Sequence, residues 1–265
     1  MPEKKQEKQK LTTKNIRQHK VKANDKKNKL QMLTCYDFQT AQLLDETNLD
    51  MILVGDSVGN VILGYDTTVS VTLEEMIIFS SAVRRGAINT FVVADLPFGS
   101  YAQFDLGVKN SCKLFQETKV EALKLEGAHS YKLKLIERLT QIGIPIMGHI
   151  GLTPQSVHEL GGYFIHGKDK NGARHLIQEA KDLQNAGVFS LVLECVFPEV
   201  SEEITNALSI PTIGIGSGNS VDGEVLVIND LLKMGKDRPP KFCRPIADVY
   251  EYKKDLVKKY LNDRR

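Results

Sequence analysis

Met51-Ile-Leu-Val-Gly-Asp56-Ser57 is an apolar run that stops on a carboxylate. Met51 to Val54 suit a strand buried on both faces, as in a parallel sheet, and the packing of such a strand has no use for Asp56. The same punctuation recurs along the chain in Phe91-Val-Val-Ala-Asp95, Ala122-Leu-Lys124-Leu-Glu126, Ile144-Pro-Ile-Met-Gly-His149 and Ser190-Leu-Val-Leu-Glu194. One ionisable residue after an apolar run carries little information. Five in succession imply that parallel strands deliver reactive groups to one rim, which is how a barrel of strands and helices builds an active site.

Outward from these runs, the chain from residue 31 repeats a short apolar run, a loop and an amphipathic segment. The pattern predicts strands at Met32–Cys35, Met51–Val54, Phe91–Ala94, Ala122–Leu125, Pro145–Gly148, Ser190–Leu193, Thr212–Ile215 and Val225–Ile228. Helical periodicity predicts Gln39–Thr47, Leu73–Arg85, Leu106–Thr118, Ser130–Gln141, Ala173–Ala186 and Glu199–Leu208, with Gly86, Gly143 and Gly187 as C-terminal glycines. Eight strands with intervening helices predict an α/β (β/α)8 TIM barrel. An open doubly wound sheet fits less well, because its functional residues gather at one switch point. Too little chain separates the seventh and eighth strands for a full helix. Thr12 or Thr13 is placed to cap a short N-terminal helix over 14–20, and Ala247–Leu261 reads as a C-terminal helix after the turn RPPKFCRP. Residues 1–11 are read as a basic leader and 12–265 as a single barrel domain.

Composition sets the class. The chain has 265 residues, 42% hydrophobic and 26% charged, with a net charge of +2, which is ordinary for a soluble globular protein. The first 29 residues hold eleven Lys or Arg against three acids but no aromatic to stack on a base; a solvated leader is expected, with no nucleic acid as partner. No apolar run approaches the roughly 18 residues of a membrane helix, and the charged start leads into no signal-peptide core, so no membrane partner is expected. Cys35, Cys112, Cys195 and Cys243 lie far apart with no CxxC pair, which argues against a zinc ribbon and a disulfide framework. A reducing cytoplasm is the expected compartment.

The strand ends then supply candidates. Asp56 and Asp95 can share one ion: one or two carboxylates with waters and substrate oxygens is a Mg2+ arrangement, since magnesium dehydrates reluctantly. Glu126, on the adjacent strand, can complete that site or orient its waters. The alternative is that these acids cap backbone N–H groups. Lys124 lies two residues before Glu126, so both face the same side of the strand; it suits an anionic substrate group, a Schiff base, or a structural ion pair. Glu194 suits a general base, because burial raises a carboxyl toward neutrality, or an acceptor of donors at the barrel top. Cys195 reads as a small hydrophobe. His149 is a ligand, a proton donor or, most simply, a histidine satisfied behind the site. The glycine-rich IGIGSGN (213–219) lies where barrels bind phosphate but lacks nucleotide-motif spacing. His158–Tyr163 marks a long loop beside the mouth.

Taken together, MLTCYDF (32–38), the run 51–76, AVRRGA (82–87), ADLPFGSY (94–101), KLEGA (124–128), GIPIMGHIGLTPQS (143–156), LGGY (160–163), LVLECV (191–196), IPTIGIGSGN (210–219) and DGEVLVIND (222–230) resemble the ketopantoate hydroxymethyltransferase family over roughly residues 12–235. The resemblance implies a Mg2+-dependent (β/α)8 barrel, assembled as a homo-oligomer, typically a decamer. It implies conversion of 3-methyl-2-oxobutanoate, 5,10-methylenetetrahydrofolate and water to 2-dehydropantoate and tetrahydrofolate, in pantothenate biosynthesis. Asp56, Asp95 and Glu126 match the family's metal-associated acids; Asp56, Ser57, Asp95 and Lys124 match its 2-oxo acid contacts; Glu194 matches its proton acceptor. Gly99, Ala128 and Ser217 depart from the common residues, and RPPKFCRPIADV follows the pattern only loosely. Enzymes of the phosphoenolpyruvate mutase and isocitrate lyase type also handle 2-oxo acid enolates on Mg2+, but their KKCGH-like loop is absent here. A non-enzymatic scaffold carrying the basic arm is the remaining rival.

Overall fold

In the computed structural model, which describes residues 10–21 and 28–264, eight parallel strands close into a barrel in sequence order, β1 pairing with β8. The strands are β1 (Leu30–Thr34), β2 (Met51–Val54), β3 (Phe91–Asp95), β4 (Ala122–Glu126), β5 (Ile146–Gly151), β6 (Ser190–Glu194), β7 (Thr212–Ile215) and β8 (Gly223–Leu226). The helices are α1 (Thr13–Arg17), α2 (Phe38–Asp45), α3 (Leu73–Gly86), α4 (Phe104–Thr118), α5 (Ser130–Gln141), α6 (Val157–Leu160), α7 (Lys170–Asn185), α8 (Pro198–Ala207), α9 (Ile228–Leu231) and α10 (Val249–Asn262). The barrel expected from the sequence is the barrel observed.

Strand alternation sorts the apolar residues into two cores. Met51, Leu53, Phe91, Val93, Met147, Val192, Ile213 and Val225 fill the interior. Ile52, Val54, Val92, Leu123, Leu125, Ile146, Leu191 and Leu193 point outward against the helices. Phe91 and Phe189 meet edge to face at 5.9 Å within the inner core, an arrangement favoured by the ring quadrupoles.

α1 is shorter than expected. A capping box between Thr12 and Asn15 starts it, and it ends at Arg17; its fully buried Ile16 joins the inner core. Beyond α1, Lys20 Nζ pairs with the buried Asp222 at 2.7 Å and Val21 N donates to the same carboxylate at 2.9 Å. Asp222 also accepts from Thr212 N at 2.9 Å, so one acid ties the N-terminal segment to β7 and the start of β8. Lys10 contacts Glu121 and donates to the Ile88 carbonyl, which seats the end of the proposed leader on the body; the leader before it lies outside the described residues.

The eighth strand sits two residues earlier than its apolar residues suggest. Its register with β1 opens with Leu30 opposite Gly223, and a Cβ at Gly223 would lie 2.6 Å from the Leu30 carbonyl oxygen. Glycine is needed for that approach, and glycine hides a strand from hydropathy. Ile228, assigned to the strand by sequence, instead opens α9 and donates its N–H to the Thr34 hydroxyl. Gly143 and Gly187 follow α5 and α7 with φ of +92° and +101°, as C-terminal glycines do. Gly86 does not: it is the last residue of α3 and lets α3 approach α2, since a Cβ there would lie 2.5 Å from the Phe38 carbonyl oxygen. His158 to Leu160, read as loop, form α6, and the loop proper begins at Gly161. Among the described residues no helix is long and apolar enough to cross a membrane.

Candidate active site

Inter-strand register brings the strand-end residues together. β3 and β4 place Asp95 opposite Lys124, β4 and β5 place Glu126 opposite His149, and β5 and β6 place Gly151 opposite Glu194. Each ionisable partner continues the inward-facing alternation of its strand. Together with Asp56 and Ser57 they line a cavity of about 470 Å3 at the C-terminal mouth, which also touches Thr34, Tyr163, Ile215 and Phe242. Asp56, Asp95, Lys124, Glu126 and His149 are all buried; Glu194 is partly exposed.

Lys124 is the cationic centre. Its Nζ lies 2.8 Å from Asp95 Oδ1, 3.7 Å from Glu126 Oε1 and 3.3 Å from His149 Nδ1. Burial works against its charge, but Asp95, Glu126 and Asp56 outweigh burial and hold the ammonium well above its ordinary range. A lysine held charged is no Schiff-base nucleophile, so the sequence alternatives narrow to ion pairing and anion binding. Asp95 Oδ2 accepts the Asp56 N–H at 3.1 Å, which fixes the turn after β2 against the end of β3. The capping alternative therefore holds for Asp95, alongside its ion pair.

His149 joins the two halves of the site. Nδ1 lies 3.3 Å from Glu126 Oε1, and Nε2 lies 3.3 Å from Glu194 Oε2, though not aligned for a hydrogen bond. Burial and then Lys124 disfavour its imidazolium, yet Glu126 and Glu194 prevail and carry its pKa up to about 9. Burial likewise pushes Glu126 up, but His149 and Lys124 overcome it and leave Glu126 below the usual range. His149 is thus more than a satisfied background residue: it faces the candidate base directly.

The cluster carries more negative than positive charge. Burial, Glu126 and Asp95 push Asp56 well above the usual carboxylate range, and burial pushes Asp95 up despite Lys124. Among the described residues Asp95 Oδ1 meets the Lys124 ammonium, and Glu126 Oε1 meets Lys124 and His149, without an aligned hydrogen bond to either oxygen. Excess buried carboxylate of this kind fits a hard divalent cation. Among the described residues, no three His, Cys, Asp or Glu side chains are spaced to hold an ion unaided. A cation here would complete its shell with water and substrate oxygens, as magnesium does. Each of the three acids has one oxygen engaged, Asp56 Oδ2 by Gln155 Nε2, Asp95 Oδ2 by the Asp56 N–H and Glu126 Oε2 by the Gln155 N–H, and Asp56 and Asp95 stand at adjacent strand ends where they could share an ion.

Backbone geometry supports the mouth. Cys195 follows Glu194 at φ +47°; Cys195 N donates to the Ile215 carbonyl and its own carbonyl accepts from His166 N, bonds that hold an uncommon conformation for a side chain with a Cβ. Gly151 has φ +93°, and a Cβ there would sit 2.3 Å from the Glu194 carbonyl oxygen, so only glycine lets β5 run this close to the candidate base. Ser57 accepts or donates at 2.8 Å with Tyr36 OH. Sequence reasoning missed Tyr36 and Gln155. Both lie in motifs that carried the family resemblance, but neither follows an apolar run.

A model described as ketopantoate hydroxymethyltransferase matches residues 10–265. The chain belongs to the ketopantoate hydroxymethyltransferase family. It is 48% identical over 244 residues to the 3-methyl-2-oxobutanoate hydroxymethyltransferase of an Exiguobacterium strain, covering 92% of this chain and 88% of the relative. The Geobacillus protein of the same name is 49% identical over 233 residues, 88% of this chain and 83% of the relative. Membership in this transferase family makes the chain an enzyme and removes the scaffold reading. Solved structures similar in fold include phosphoenolpyruvate phosphomutase from Streptomyces platensis, at TM-score 0.64 and 11% identity, covering 89% of this chain and 84% of that one. A 2,3-dimethylmalate lyase matches at TM-score 0.59 and 13% identity, covering 90% and 81%. These identities speak to the barrel alone.

Proposed function

We propose that this enzyme converts 3-methyl-2-oxobutanoate, 5,10-methylenetetrahydrofolate and water to 2-dehydropantoate and tetrahydrofolate, the hydroxymethyl transfer of pantothenate biosynthesis. The observation that carries the proposal is the row of buried Asp95, Lys124, Glu126 and His149, ending on the partly exposed Glu194, at the mouth of one cavity. It combines a cation for a carboxylate, acids for a metal and a base on the far wall.

In this reading Lys124 attracts the substrate carboxylate, and Ser57 and the Asp56–Asp95 turn shape the wall where the 2-oxo acid lies. Asp56 and Asp95 would hold Mg2+, with Glu126 supporting them; bound there, the ion would supply Lewis acidity to the 2-oxo group. Glu194 accepts the proton from C3 of the substrate, and its C–H electron pair forms the new bond to the one-carbon unit. Water supplies the hydroxyl of the product, and tetrahydrofolate leaves. His149, held protonated by Glu126 and Glu194, places its charge 3.3 Å from Glu194 Oε2. Four free cysteines accord with a cytoplasmic enzyme. The exposed apolar side chains Tyr252, Leu256, Tyr260 and Leu261 of α10 accord with a homo-oligomer, the decamer being the assembly that family resemblance implies.

The test is direct. Purified protein given both substrates and Mg2+ should form 2-dehydropantoate by mass spectrometry. EDTA should abolish product and added Mg2+ restore it. Failure to form product under these conditions overturns the proposal.

A further inference from the structure

Gln155 is a neutral side chain set in the most charged part of the molecule. It lies in the one-turn 3-10 segment Pro154–Ser156 just after β5, and it is 5% exposed. Both of its amide hydrogens and its carbonyl oxygen have protein partners. Nε2 donates to Asp56 Oδ2 at 2.8 Å and to the Leu96 carbonyl at 2.9 Å, while Oε1 accepts from Tyr101 OH. Its backbone N–H donates to Glu126 Oε2 at 3.2 Å. The amide orientation follows from this network. Turned over, Oε1 would face a carboxylate oxygen and a carbonyl oxygen, which are both acceptors.

One residue therefore grips two of the three acids, with its side chain on Asp56 and its main chain on Glu126. Leu96 follows β3 directly after Asp95, so the same amide also ties the third acid's strand end. Asp56 spends Oδ2 on this bond, and among the described residues its Oδ1 accepts none. A neutral amide can do this where a charged donor cannot: it fixes the carboxylate without cancelling the charge that a cation needs. We propose that Gln155 is the positioning residue of the cation site, holding Asp56 and Glu126 in mutual register and leaving Asp56 Oδ1 available. The inference rests on the proposed metal role of Asp56, and its test separates the two.

The measurement is Mn2+ binding to the full-length protein without substrate, by electron paramagnetic resonance of free Mn2+, alongside steady-state kinetics over a range of metal concentrations. Gln155→Leu should raise the Mn2+ Kd at least tenfold. It should also raise the metal concentration needed for half-maximal rate, with kcat largely recovered at high metal, a recovery that general structural damage does not give. Tyr101→Phe removes only the hydroxyl that steadies Oε1 and should raise the Kd two- to fivefold. If Gln155→Leu does not fold by circular dichroism, Tyr101→Phe becomes the deciding variant. A Kd unchanged in Gln155→Leu, or in Tyr101→Phe where the first variant is unfolded, overturns the inference when Asp56→Asn abolishes Mn2+ binding. If Asp56→Asn binds Mn2+ as the wild type does, the metal reading itself fails and the inference falls with it.

Discussion

Lys124 decides the charge balance of the mouth. It is 4% exposed, and its nearest neighbours are two carboxylates and an imidazole. Removing one partner of a buried ion pair leaves the other uncompensated, at a cost of about 3–5 kcal/mol. Lys124→Met should therefore lower the urea-unfolding free energy by about that amount as well as abolish activity; an unchanged stability would show that the acids are compensated in some other way. Cys195, beside Glu194, behaves differently. Burial and then Glu194 push its thiol up to about 11, so the thiolate is scarce near neutrality. Labelling of Cys195 by iodoacetamide, followed by peptide mapping, should climb about tenfold per pH unit from pH 7 to 10. Fast, pH-independent labelling would contradict that environment. The single-residue chemistry was legible in unequal measure. Asp56, Asp95, Lys124, Glu126 and Glu194 stood out because parallel strands buried on both faces have no packing use for charge. Gln155 and Tyr36 sit in turns where polar residues are ordinary, so only their hydrogen bonds single them out.

Among the elements, the strands that read most plainly are those whose two faces are both apolar, β2, β3 and β6. Periodicity found α3, α4, α5 and α7 because each buries one stripe against the barrel; α5 keeps its predicted bounds, while one end of α3, one end of α4 and both ends of α7 moved by one to three residues. Where the reading slipped, the cause was local. α1 stops early because the chain after Gln18 turns to meet Asp222. β8 begins on a glycine, so its apolar residues mark only its later half. Asp222 itself went unnoticed as a structural residue, since it lies on the far end of the barrel from the chemistry. It is fully buried and receives Lys20 Nζ, Val21 N and Thr212 N. Asp222→Ala strands those donors and should destabilise the protein by about 3 kcal/mol by urea denaturation. The metal-dependent kinetics of the remaining folded protein should not change. A variant with full stability but altered kinetics would place Asp222 in a different role.

For the whole molecule, barrel closure and chemistry are one event. No strand carries the site: β3 gives Asp95, β4 gives Lys124 and Glu126, β5 gives His149, β6 gives Glu194, and the turn after β2 gives Asp56. Only parallel pairing in register puts these six side chains around one cavity. The fold was legible because the eight apolar runs and their spacing leave few other topologies; the substrate was not, and it rests on kinship with the ketopantoate hydroxymethyltransferases. The central claim is that Glu194 takes the C3 proton of the 2-oxo acid. It is tested most directly by incubating the protein with 3-methyl-2-oxobutanoate and Mg2+ in D2O, without folate, and following the C3 proton by NMR. The wild type should exchange that proton in a metal-dependent manner, and Glu194→Gln should slow the exchange by about a thousandfold. Exchange at the wild-type rate in Glu194→Gln would remove Glu194 as the base.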